Sequence, residues 1–264
     1  MTAKWAENLL LEQSCSHAAA KPRHSQKIER KDTISVRIQT SSYFQPTTNH
    51  SALLLQHYQI NNVPLCFACI CPAEDPVRGR AAGYFTEQLL HWFRALSWRK
   101  LSRDPEKHLL HTETKLRRAI ERTIEELTSS NLLSARERFS FAAIFCIDEH
   151  FLLFCQGSTE IYLLNRNLGR GSLQCISDNL SPPADEHADF LHGLLQPDIG
   201  LLLATDTFCN NTDRQELRDC LYVKDIQTED RARRHLLELG RHIEARGGCH
   251  MGAILIQTMT DEEK

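Results

Sequence analysis

Apolar residues in this chain change period in blocks, and the order of those blocks limits the fold more than any other feature. From Ile34, the stretch ISVRIQT alternates, with Ile34, Val36 and Ile38 on one side and Ser35, Arg37 and Gln39 on the other. That is the two-residue period of a half-buried strand. SALLLQHYQI and VPLCFACIC read as two further strands, joined by a turn at Asn61 and Asn62. The period then lengthens. Residues 80–99 carry Phe85, Leu89, Phe93 and Leu96 at helical spacing, and residues 106–128 carry Leu109, Leu116, Ile120, Ile124 and Leu127 on one face. Arg117, Arg118, Glu121, Arg122 and Glu125 fill the opposite face, which reads as a solvated helix surface. RFSFAAIFCI, FLLFCQG and EIYLLNR follow in quick succession, with turns at Asp148-Glu149-His150 and Gly157-Ser158-Thr159. This spacing predicts an antiparallel meander.

Residues 167–197 read as loop, broken by Pro182-Pro183, with SLQCIS as one short strand. GLLLAT reads as a buried strand. Asp213 stands where it can cap a helix starting near Arg214, with Glu216 three residues on in the manner of a capping box. DRARRHLLELGRHIEARGG predicts a helix closed by Gly247 and Gly248, and GAILIQT a last strand. Strand blocks and helix blocks are therefore segregated, which implies an α+β fold: a four-layer α-β-β-α sandwich of two antiparallel sheets flanked by helices. One domain is expected over residues 33–260, after a polar N-terminal tail at 1–32.

With 31 basic and 34 acidic residues the formal charge is −3, which implies neither a nucleic-acid nor a membrane partner. The apolar runs are too short to span a bilayer, and the N-terminal stretch, with Glu7 and Glu12 around three leucines, does not read as a secretory signal. A cytoplasmic chain is expected. Its ten cysteines form no CxxC…CxxC pattern; most stand in apolar runs, such as Cys146 and Cys155, and read as buried thiols. Asp185, Glu186, His187, Asp189 and His192 have ligand chemistry but no metal-site spacing, and read as a solvated loop or helix face. GRGS at 169–172 lacks the lysine of a phosphate-cradling loop.

Five stretches, in order, resemble the type-2C metal-dependent serine/threonine protein phosphatases over about residues 34–258. PDIGLLLATDTFCNNTDRQELRDCL, at 197–221, is similar to the segment in which an aspartate ends a buried strand. Asp206 matches the aspartate of that family's Ser-Asp-Gly motif, with Thr205 and Thr207 as its neighbours. FLLFCQGSTEIYLLNR resembles the Gly-Asp-Ser-Arg hairpin, where Gly157 and Tyr162 fit, Ser158 replaces the aspartate and Glu160 the arginine. GGCHMGAILIQ resembles the last strand and its approach, with Cys249 and His250 in place of Asp-Asn. CFACICPAEDPVRGRAAGYFTEQLL places Cys71-Pro72 where the family has Asp-Gly and suits a helix start at Arg80-Ala81-Ala82-Gly83. TTNHSALLL matches at Asn49, has Ser51 for the aspartate, and follows Pro46 where a phosphate-binding arginine is usual.

The family's reaction needs two hard divalent cations, held by several carboxylates, that generate hydroxide and neutralise phosphate oxygens. Of those carboxylates only Asp206 is matched, so the resemblance implies a catalytically degenerate domain acting as a binding or regulatory module, with no cofactor and a protein or phosphoprotein partner. A divergent active phosphatase using Mn²⁺ or Mg²⁺ is the first alternative, with Glu74, Asp75, Asp148, Glu160 or Asp178 as ligands. The second is a zinc- or redox-responsive sensor. The resemblance implies that Cys71, Asp206 and Cys249 converge, with His250 beside them, and two thiolates and a carboxylate suit Zn²⁺.

Overall fold

A computed structural model describes residues 36–45, 50–61, 63–134, 139–165, 172–177, 189–196, 199–221 and 229–260. The N-terminal tail, Asn49, Pro46 and Asp178 lie outside these. Ten strands form two five-stranded antiparallel sheets. The first runs β1 (Val36–Phe44), β10 (Gly252–Thr260), β9 (Ile199–Ala204), β6 (Glu160–Asn165), β7 (Ser172–Cys175). The second runs β2 (Ala52–Ile60), β3 (Val63–Cys71), β4 (Phe141–Ile147), β5 (His150–Gln156), β8 (Asp189–Leu194). Helices α1 (Pro76–Arg94), α2 (Trp98–Leu101) and α3 (Pro105–Ser129) belong to the second sheet's outer face, and α4 (Asp206–Asn210), α5 (Arg214–Leu221) and α6 (Glu229–Ala245) to the first's.

Strand β3 shows why the sandwich has four layers. Its side chains alternate across the sheet, and both faces are covered. Leu65, Phe67, Cys69 and Cys71 enter the core against the helices, while Cys66, Ala68 and Ile70 enter the core between the sheets. β4 does the same, with Phe141, Ala143, Phe145 and Ile147 towards the helices and Ala142, Ile144 and Cys146 inward. The large rings therefore face the helix layer. Phe93 of α1 stacks on Phe67 at 5.0 Å and meets Trp98 edge-on at 4.7 Å, while Phe85 sits 4.7 Å from Phe141. On the other side, α6 approaches β1 closely because Gly240 has no side chain: a Cβ there would fall 2.3 Å from the Tyr43 ring.

Several details differ from the sequence expectation. The meander is interrupted: β4 pairs with β5, but β6 pairs with β9 and β7 in the opposite sheet. The short turn after Gln156 crosses between sheets, and alternation alone does not reveal which sheet a strand joins. DFLHGL, read as loop or helix face, is strand β8 on the edge beside β5. The first helix starts at Pro76, ahead of Arg80, and stops at Arg94. Asp75 caps it, its carboxylate accepting the N–H groups of Val77 at 2.7 Å and Arg78 at 2.9 Å, with Pro76 at the first position. Asp213 caps α5 as expected, accepting from Gln215, but Glu216 instead bridges Arg246 at 2.9 Å.

Two outcomes follow from these contacts. Replacing Phe93 by Ala removes a fully buried ring and lowers stability by about 3–5 kcal/mol in urea titrations. The Arg78 N–H bond, the largest influence, holds the Asp75 carboxyl below its ordinary range. Its stabilisation is thus present above the usual carboxylate value and lost as pH falls through the lower folded value. Asp75→Asn keeps a capping oxygen, so thermal melts should show a flatter loss of stability below about pH 4 than the parent chain.

Candidate functional site

A shallow cleft opens where the strand ends of the two sheets meet the first turn of α1. It is lined by Pro72, Ala73, Glu74, Arg78 and Ala81 after β3, Ser140 before β4, Ser158 before β6, Asp206 and Thr207 at the start of α4, and His250 before β10; Leu133 and Phe139 close one wall. Its enclosed space is about 50 Å³, room for a few water-sized groups.

Asp206 lies in this cleft. One of its carboxylate oxygens accepts the Thr207 N–H at 2.8 Å. Thr205, the cap of α4, accepts from Phe208 N–H at 3.4 Å and from Gly252 N–H at 3.2 Å, which ties the end of β9 to the start of β10. Ser51 joins the sheets in a similar way. Its hydroxyl accepts the Ala73 N–H at 3.0 Å and donates to the His250 carbonyl at 3.3 Å. Ser158 turns onto Ser140, which accepts its N–H at 3.1 Å and its hydroxyl at 3.3 Å. That turn requires glycine at 157, where φ is +79° and a Cβ would fall 2.2 Å from the Ser140 oxygen.

The structure does not bring Cys71 and Cys249 to Asp206. Cys71 is an odd-numbered β3 position, so it faces the helices; it is fully buried with its sulfur 3.7 Å from that of Cys69. Burial, with Cys69 beside it, pushes its thiol well up, away from the thiolate that zinc requires. Cys249 is exposed in the turn between α6 and β10. Among the described residues, no three His, Cys, Asp or Glu side chains come together as a ligand set. Of the alternative carboxylates among the described residues, only Glu74 lines the cleft with Asp206. Asp75 caps α1, Asp148 occupies the β4–β5 turn with φ +54°, and Glu160 bonds the Tyr162 hydroxyl.

Two cleft features, Arg78 and Ser140, were not singled out from sequence, while a third, His250, was. Arg78 pairs weakly with Glu74 at 3.9 Å and Asp75 at 3.8 Å, all largely solvated. Ser140 has no motif around it. His250, at φ +55°, stacks on His50 with ring centres 5.5 Å apart, and its Nδ1 is buried without a hydrogen-bond partner. The resemblance named His250 directly, as the second residue of the Cys249-His250 pair.

Among the described residues, the donor set does not fit two hard divalent cations. Asp206 and Glu74 are carboxylates, but Glu74 faces Arg78. The serines at the other positions are neutral, and their hydroxyls are already committed to protein partners.

The sequence matches no protein-family model and no curated protein. The fold matches solved structures. A bacterial serine phosphatase superposes with a TM-score of 0.59 at 16% identity, covering 87% of this chain and 100% of its own. The phosphatase Stp1 of Staphylococcus aureus gives 0.54 at 15% identity over 92% and 100%. The catalytic domain of the phosphatase PstP, in complex with two manganese ions, gives 0.53 at 12% identity over 85% and 98%. At these identities the likeness is one of fold: this chain has the architecture of the type-2C serine/threonine phosphatases and resembles that family.

Ser51 offers a direct check on the hydroxyl ties. Ser51→Ala leaves the Ala73 N–H and the His250 carbonyl without this partner, and chemical denaturation should show a loss of about 1–3 kcal/mol.

Proposed function

We propose that the domain keeps the type-2C phosphatase fold as a binding or regulatory module for a protein or phosphoprotein partner, and does not hydrolyse phosphoesters by the two-metal route. The observation that carries this reading is the state of the strand ends. Ser51 and Ser158 stand where the resemblance calls for aspartates, and each is spent on a hydrogen bond within the protein. A cleft tied this way needs no ion to relieve carboxylate repulsion, and Asp206 and Glu74 alone give a hard dication too few ligands. The reading places the module in the cytoplasm, with no nucleic-acid or membrane partner. No helix among the described residues is long and apolar enough to cross a membrane.

One observation favours a second reading, a divergent Mn²⁺- or Mg²⁺-dependent phosphatase acting on phosphoserine or phosphothreonine: Glu74 and Asp206 do share one cleft. The two readings part on a simple assay. The purified chain with p-nitrophenyl phosphate and excess Mn²⁺ is expected to give no turnover above buffer, and Asp206→Ala no change. Mn²⁺-dependent turnover that Asp206→Ala abolishes would establish the second reading and sink the first.

A further inference from the structure

The cleft combines an apolar wall with hydrogen-bond acceptors that the chain leaves unused. Leu133 and Phe139, both buried, form the wall, and the Phe139 ring is braced by Phe85 with ring centres 4.8 Å apart. Asp206 spends one carboxylate oxygen on the Thr207 N–H at 2.8 Å and hydroxyl at 3.4 Å; its second oxygen accepts from no described residue. His250 Nδ1 is buried and has no hydrogen-bond partner. The imidazole is not idle for want of fixing. Its backbone is pinned by the Ser51 hydroxyl on its carbonyl, and its ring stacks on His50. A neutral imidazole with its proton on Nε2 presents Nδ1 as an acceptor.

Charge narrows what such a cleft can take. Its lining sets the carboxylates of Glu74 and Asp206 against the guanidinium of Arg78, an excess of one negative charge. Arg78 is drawn to Glu74 at 3.9 Å and to Asp75 at 3.8 Å. Asp206 makes no ion pair among the described residues, so the excess resides there. A phosphate group entering the cleft would meet this carboxylate, and like charges at contact distance repel. A cation is favoured by the same charge. The enclosed space of about 50 Å³ takes a group the size of a guanidinium head, and puts Asp206 and His250 within the span of one such group.

We propose that the cleft receives an arginine side chain of a protein partner. The guanidinium donates to the second oxygen of Asp206 and to Nδ1 of His250, and the methylene stem lies along Leu133 and Phe139. This inference rests on the binding-module reading and gives that module's partner a chemistry: a basic side chain, not a phosphorylated one, enters the cleft. Guanidinium suits the lining on two counts. Its planar fork carries several N–H donors, so one group serves a carboxylate oxygen and a ring nitrogen together. Its stem is apolar and it is weakly hydrated, so it gives up little on lying against an aromatic wall. A lysine ammonium is a compact, strongly hydrated charge and matches only the carboxylate.

The test titrates the full chain with acetyl-Gly-Arg-Gly-amide in metal-free buffer, following the ring signals of His250 by NMR, assigned with His250→Gln. A saturable shift is expected. The citrulline version of the probe, which keeps the shape of arginine without its charge, should give none. Asp206→Asn preserves an oxygen for the Thr207 N–H and removes the charge, and should weaken binding about tenfold. No saturable shift, equal binding of the citrulline probe, indifference to Asp206→Asn, or tighter binding of a probe with phosphoserine in place of arginine would each overturn the proposal. The two readings fail separately. Mn²⁺-dependent turnover in the phosphoester assay removes the module reading on which this one rests, whereas absence of both turnover and arginine binding removes this inference alone.

Discussion

The double burial of β3 is the constraint on which the rest of the molecule depends. A strand covered on both faces must divide its side chains between two cores, and VPLCFACIC does so by size. Phe67 and Leu65 face the helix layer, where the rings of Phe93 and Trp92 reach them, and Cys66 and Ala68 face the narrow space between the sheets. On the inner side each register pair includes a small residue, Cys66 with Cys146, Ala68 with Ile144 and Ile70 with Ala142, which lets the two sheets approach; aromatic residues on the outer side fill the wider gap beneath helices. The cysteines in this strand are thus packing groups. Burial pushes Cys66 up to about 12 and Cys146 well up, which keeps both thiols neutral and unreactive in the core.

With the sheets held by apolar packing, the strand ends are free to differ from the metal-binding pattern. Where carboxylates converge, their mutual repulsion has to be offset by cations. A serine hydroxyl has no such need, because it both donates and accepts. Ser51 uses the two capacities to connect the segment after β3 with the segment before β10, and Thr205 makes an equivalent tie between β9 and β10. Hydroxyls at these places cross-link the strand ends through hydrogen bonds within the chain.

The layers were readable in the sequence wherever burial leaves a periodic trace. ISVRIQT, VPLCFACIC, FAAIFCI and the long helix before Gly247 have patterns that only one environment satisfies. Three kinds of information leave no such trace. The assignment of β6 to the sheet opposite β5 depends on long-range pairing with Leu201 to Ala204, not on FLLFCQG and EIYLLNR themselves. The edge strand β8 is too polar, in DFLHGL, to alternate cleanly, because one of its flanks meets solvent. The direction in which Cys71 points follows from its parity with Phe67, a point that a family resemblance, which matches positions along the chain, does not weigh. The cleft was legible at Asp206, where an aspartate closes an apolar strand, and through the resemblance at Ser158 and His250. Arg78 and Ser140 come to it from elements remote in sequence and carry no local signature.

Helix α1 has two ends of unlike character. Its first turn, capped by Asp75, contributes Ala81 and Arg78 to a cleft whose carboxylates and single guanidinium nearly balance. Its last turn carries Arg94, which makes no ion pair among the described residues. Net charge is the same near-neutral figure whichever way these groups are distributed, so bulk composition was silent about both. Arg117 shows the contrasting case, a cation stacked over Phe154 and Phe190 and paired with Glu113, where the charge is used to dock α3 onto β5 and β8. A group with an internal partner of this kind is accounted for by the fold.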